Sequence, residues 1–208
     1  SVANALLQMC IQGLNPMKKQ CYFIAYGNKL EMQRSYQGSV AVAKRYSTLV
    51  EINANIIYND DDFVYGIDNA TGRMHIVKHE QQIEHIDINK IKGAYAVAIF
   101  ADGTSKIETM TILQIKKSWA QGKGGGNTMA HQNFTDEMAK KTVINRLCKS
   151  IINSSDDTAL FDEEKESLPY DNISEEIETN ANKIELRIAP PQAEVILDND
   201  NGAEVKIP

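Results

Sequence analysis

From Leu49 the apolar pattern of the chain switches to a period of two, and this switch constrains the fold more than any other feature. Ile52, Ala54, Ile56 and Tyr58 alternate with Glu51, Asn53, Asn55 and Ile57. Successive strand residues point to opposite faces, so this spacing predicts a strand with one buried face. "NDDD" at 59–62 breaks the run. "FVYGIDNATGRMHIVKH" then resumes as a hairpin turning at "NATG", and "GAYAVAIFADGTSKIETMTI" as another turning at Asp102-Gly103. Short runs separated by such turn residues pair antiparallel.

Helical spacing flanks the strands. Leu6, Leu7, Cys10, Ile11 and Leu14 recur at helical intervals until Gly13 and Pro16 end them. "CYFIAYGNKLEMQR" reads as a hairpin around Gly27-Asn28. "SYQGSVAVAKRYS" reads as a helix with Tyr36, Val40 and Ala43 on one face and Gly38, Ala41 and Arg45 on the other. A helix is expected from about Thr111 to Gln121, a Gly-rich loop over 122–134, and a final helix capped by Thr135 or Asp136. The fold class is therefore α+β: a mostly antiparallel meander packed against a long basic helix, with an N-terminal helix. This core spans residues 1–152. Residues 153–208 are acidic, with few large apolar groups to offset their ordering entropy, and read as a largely disordered tail. The chain starts at Ser1 without a Met and reads as a fragment lacking its natural start.

The formal net charge of −6 hides a division. Residues 1–152 carry 18 Lys and Arg against 13 Asp and Glu, a balance of +5. Residues 153–208 carry 4 against 15, a balance of −11. Two readings fit: a nucleic-acid or membrane surface in the basic part, or a near-neutral domain with a solubilising tail. No run is long enough for a transmembrane helix and no signal peptide is visible. Cys10, Cys21 and Cys148 have no metal-ligand or redox spacing, which suits reduced thiols in a cytoplasmic protein.

The basic part has a focus in "DEMAKKTVINRLCK" at 136–149. On a helical wheel Ala139, Val143, Ile144, Leu147 and Ile151 face the core. Lys141, Asn145 and Lys149 form a ridge at i, i+4 and i+8 on the other side, with Arg146 beside it. Lys140 falls on the apolar side and needs to snorkel or meet an acid. The exposed face has no acid after Glu137, whereas a merely soluble face mixes both signs. A one-sign stripe is the footprint of a polyanion. Arg34, Lys44, Arg45, Lys116, Lys117 and Lys123 occur in other element ends and loops, near Tyr36, Trp119, Gln132 and Phe134. Cations interleaved with aromatic rings suit single-stranded nucleic acid. Core packing is the competing reading for Trp119 and Phe134. Small neighbours on the Arg45 face, Gly38 and Ala41, would let a strand or a second backbone come close.

Enzymatic patterns do not emerge. "GKGGGN" lacks the Ser or Thr that a P-loop needs after its Lys. His75, His79 and His85, with Glu80, Glu84 and Asp87, match no metal-ligand spacing. The acids at 60–62 offer either a divalent-cation site or a plain strand-breaking loop. No cofactor motif is found.

The order of these motifs carries a resemblance. "LLQMCIQGLNP", "CYFIAYGNK", "SYQGSVAVAKR", "AYAVAIFADG", "ETMTILQIKKS" and "DEMAKKTVINRLCK" resemble the RecT family of phage and prophage single-strand annealing proteins over roughly residues 1–152. The resemblance implies ATP-independent annealing of complementary DNA strands in recombination and repair, without covalent catalysis. It implies rings or filaments that hold DNA in a basic groove in the bacterial cytoplasm. It implies a phage exonuclease and the host single-strand-binding protein as partners. It also implies DNA-binding roles for Lys141, Arg146 and Lys149 of the last helix and for Arg45, Tyr36 and Gly38; Arg34, Lys117 and Phe134 join the candidate DNA-binding residues through the interleaving of cations and rings. Ser35, Asn145 and Phe134 depart from the family pattern. A sequence-specific DNA-binding module and a metal-dependent nuclease are the alternatives.

Overall fold

The computed structural model describes residues 2–121, 126 and 128–154. The expected acidic tail lies outside them except for its first two residues. The chain runs α1 (Val2–Gln12), β1 (Cys21–Tyr26), β2 (Lys29–Arg34), α2 (Tyr36–Tyr46), β3 (Leu49–Tyr58), β4 (Asp62–Ile67), β5 (Met74–Glu80), β6 (Ile91–Phe100), β7 (Ser105–Thr111), α3 (Ile112–Ala120), α4 (Met129–Asn133) and α5 (Thr135–Ile152). The α+β class and the antiparallel pairings are as the periodicity predicts.

Local chemistry sets the boundaries. Gly13 takes φ 58° and ends α1, while the Leu14 N–H returns to the Met9 carbonyl at 3.0 Å and the Gly13 N–H to that of Cys10 at 3.0 Å. This 6→1 and 5→2 pair is a Schellman motif. Gly27, also at φ 58°, turns the β1–β2 hairpin. The Ser35 hydroxyl accepts the Gly38 N–H at 3.1 Å and starts α2. Thr111 and Gln114 form a reciprocal capping box on α3.

The strands form three sheets: β1–β2, β3–β6–β7 and β4–β5. β6 is the middle strand of the central sheet, with Ile56 opposite Ala94, Ala54 opposite Ala96 and Ile52 opposite Ala98. Ala94, Ala96 and Ala98 are fully buried. Their small side chains leave room for α5, which packs on β6, β3 and β7. The pleat turns Tyr95 to the other face. There its ring stacks on Phe63 of β4 at 5.3 Å and meets His79 of β5. The β4–β5 hairpin thus interrupts the meander in sequence and covers the second face of the sheet. The main core joins Val143, Leu147, Ile151 and Ile152 of α5 to Ile56, Tyr58, Met110, Ile115 and Trp119.

The buried residues of α2 are Gly38, Ser39, Val42 and Ala43, where the helix packs on α5 and β3, while Tyr36 and Val40 are half-buried. Two local expectations need correction. Residues 129–133 of the expected loop form α4, started by the Thr128 hydroxyl, which accepts the His131 N–H. The N-cap of α5 is Phe134. Thr135 is already helical, and its hydroxyl donates to the His131 carbonyl at 2.6 Å, so α4 supplies the acceptor that draws Thr135 inward.

Candidate nucleic-acid interface

α5 buries Met138, Ala139, Thr142, Val143, Leu147, Cys148, Ile151 and Ile152. This stripe is wider than the wheel foresaw, because α2, α3 and the sheet all pack against the helix. Lys141 and Asn145 are left half-buried beside α2, and Arg146 and Lys149 are exposed. Lys141 Nζ lies 5.8 Å from the centre of the Tyr36 ring, a cation–π contact that joins α5 to the first turn of α2. The ring holds the ammonium without neutralising it. Asn145 Oδ1, on the same ridge, is buried without a hydrogen-bond partner among the described residues.

The other cations divide by what they touch. Arg146 Nε lies 2.8 Å from Glu108 Oε1 of β7, so an acid that sequence spacing cannot place next to α5 meets its cation face. Lys140 finds its acid in Glu137, at 3.1 Å one helical turn earlier. The Arg45 guanidinium donates through Nη1 to the Gln12 carbonyl and lies over Gly13, bracing the end of α1. Arg34 is half-buried and donates to Gln12 Oε1 at 3.0 Å. Lys117 on α3 is exposed.

Gly38 is buried, and a Cβ there would lie 2.0 Å from the Gln20 carbonyl oxygen. A second backbone does approach this glycine, but it belongs to the same chain and fills the space foreseen for a bound strand. Of the two rings with competing readings, Trp119 belongs to the core: it is 2% exposed, and its indole N–H donates to Thr142 Oγ1 at 2.8 Å. Phe134 is 60% exposed at the α4–α5 junction.

The structure thus brings Tyr36 and Lys141 together and leaves Lys149, Lys117 and Phe134 open, while it ties Arg45, Arg34 and Gly38 into the packing of α1 and α2. Burial pushes the Cys148 thiol up to about 12, with the nearby Arg34 opposing the rise, so this cysteine is a packing group.

The acids at 60–62 turn to three separate partners. Asp60 meets Lys90 at 3.5 Å and Asp62 meets Lys78 at 2.6 Å. Asp61 is buried. Burial alone would raise its pKa, but hydrogen bonds from the Tyr58 N–H, Gln81 and His79 outweigh it and hold the carboxyl below its ordinary range. His79 also reaches the Tyr95 hydroxyl at 2.9 Å, so this cluster clamps the β4–β5 hairpin to the sheet. The spacing of the three acids gave no sign of the clamp, because its partners come from β3, β5 and β6. Among the described residues no helix is long and apolar enough to cross a membrane.

Comparison with known proteins relates the sequence to a family. The model of the RecT family matches residues 1–182. Protein RecT of Escherichia coli (strain K12) is 28% identical over 184 residues, which cover 82% of this chain. The match spans 65% of the relative's own length. With a family match over most of its length, the chain belongs to the RecT family.

Proposed function

We propose that this protein binds single-stranded DNA and anneals complementary strands without ATP, assembled as a ring or filament that holds the DNA in a basic groove. The observation that carries the reading is the Lys141–Tyr36 pair beside exposed Lys149, on a face where α2 meets the α5 ridge. Annealing needs no covalent step. The protein has to lower the repulsion between two polyanions and leave the bases free to test each other. Lys141, Lys149 and Lys117 would contact phosphates, which positions a strand without reading its sequence. Tyr36 and Phe134 would offer ring faces to bases. Arg146 joins them when a phosphate replaces Glu108. Successive subunits add avidity, since each binds beside a tethered neighbour. A phage exonuclease that produces the single strand and the host single-strand-binding protein are the proposed partners, and the bacterial cytoplasm the proposed compartment.

The test is the salt dependence of single-strand affinity. Each phosphate contact contributes about one unit to the slope of log affinity against log salt. Lys141→Ala and Lys149→Ala should each flatten the slope by about one unit relative to the unaltered chain. Slopes identical to that of the unaltered chain would remove this face from the interface.

A further inference from the structure

A cavity of about 600 Å³ lies where α3, α4, the start of α5 and the Ile88–Lys90 turn converge. None of the residues proposed to contact the strand lines it. Its walls include Ile88, Ile91, Ile112 and Trp119, and the exposed Lys116 and the buried His131 also line it. The volume is within the range of small-ligand sites, and the apolar walls are matched by polar groups, which also include Asn89, Gln132 and Thr135.

His131 supplies the chemistry. It is 3% exposed, and its ring packs against Trp119 with centroids 4.5 Å apart. Thr128 Oγ1 accepts the His131 backbone N–H at 3.3 Å and lies 2.6 Å from Nδ1. Donation of the hydroxyl proton to Nδ1 would leave the ring proton on Nε2. Nε2 is buried and has no partner among the described residues. A buried donor left unpaired is costly, and a ligand acceptor would satisfy it. Burial also holds the imidazole below its ordinary pKa, so the ring stays neutral and cannot bind an anion by charge. The positive charge is at Lys116.

We infer that this cavity takes one unstacked nucleobase of a bound single strand, with a base acceptor on His131 Nε2–H and the adjoining phosphate on Lys116. The ligand these groups describe combines an apolar face with polar edges, carries an acceptor and is tethered to an anion. The inference rests on the strand-binding reading and adds a site to it. An unpaired base enters at little cost, whereas a paired one has to leave its partner first. The pocket therefore favours single strands, and its base has to leave as the duplex forms.

Trp119 is the sole tryptophan of the chain, so its fluorescence reports on the cavity. The full chain is titrated with oligothymidylate, with an abasic strand of equal length and with free thymidine monophosphate, while anisotropy follows strand binding. Oligothymidylate should quench Trp119. The abasic strand should bind at least about tenfold more weakly, since it loses the bases on Tyr36 and Phe134 as well as the one in the cavity, and leave the emission unchanged. Adding the complementary strand should restore the emission. Lys116→Ala, at the surface and safe for folding, should raise the concentration needed for quenching several-fold. His131→Phe, checked for folding by circular dichroism, should abolish it. Strand binding with no change at Trp119, or equal quenching by the abasic strand, overturns the pocket and leaves strand binding standing. Quenching by the free nucleotide alone overturns the strand as its source. No strand binding at all overturns both readings.

Discussion

Arg45 and Lys149 are both exposed cations, yet the structure ties them to different tasks. Arg45 satisfies the Gln12 carbonyl at the end of α1, whereas Lys149 has no acid within ion-pair distance among the described residues. Arg45→Ala should therefore lower stability by about 1 kcal/mol, the net value of one side-chain hydrogen bond, as read by urea denaturation. It should flatten the salt slope of DNA binding less than Lys149→Ala does. Gly38→Ala should be more disruptive. Its Cβ would meet a backbone carbonyl, and overpacking of this kind typically costs about 1–3 kcal/mol. A thermal melt that superimposes on that of the unaltered chain would refute this. The ridge of Lys141, Asn145 and Lys149 was legible on a helical wheel because it depends only on spacing within one helix. The roles of Arg45, Gly38 and Arg146 were not, because Gln12, Gln20 and Glu108 come from other elements.

At the scale of elements, α5 is a strut between the sheet and α2, and its cation face is shared with β7 through the Arg146–Glu108 pair. Glu108→Gln removes the competing carboxylate, so single-strand affinity at low salt should rise. Unchanged or weaker binding would show that Arg146 lies outside the interface. α4 makes stability depend on pH. Burial depresses the pKa of His131 below its ordinary value of 6.5, so the folded protein holds the ring neutral while the unfolded chain takes up a proton more readily. The contribution is fully present above 6.5 and is lost as pH falls from there to the lower folded value. Denaturation midpoints should decline over that window, and less steeply in His131→Phe. The strands and hairpins were legible because alternation and turn residues are local signals. α4 was not, because a five-residue helix carries too little periodicity to stand out beside glycines, and its hydrogen bonds run to Thr128 and Thr135.

For the whole molecule, the division of charge matters more than its sum. The basic part carries the cationic face, and the tail carries a balance of −11. If the tail competes for that face, the chain ending at Ser154 should bind single strands more tightly at low salt, with the difference vanishing as salt screens it. Burial also predicts a pattern of cysteine reactivity: a thiol reagent should modify exposed Cys10 in the native protein and reach Cys21 and Cys148 only on unfolding. Annealing itself is tested most directly by mixing complementary oligonucleotides with the protein, without ATP or any other nucleotide, and following duplex formation and strand integrity together. Pairing should be faster than in buffer alone and the strands intact, with the acceleration lost in the Lys141→Ala, Lys149→Ala double variant. Pairing no faster than in buffer, or strands cut on addition of Mg²⁺, would contradict it.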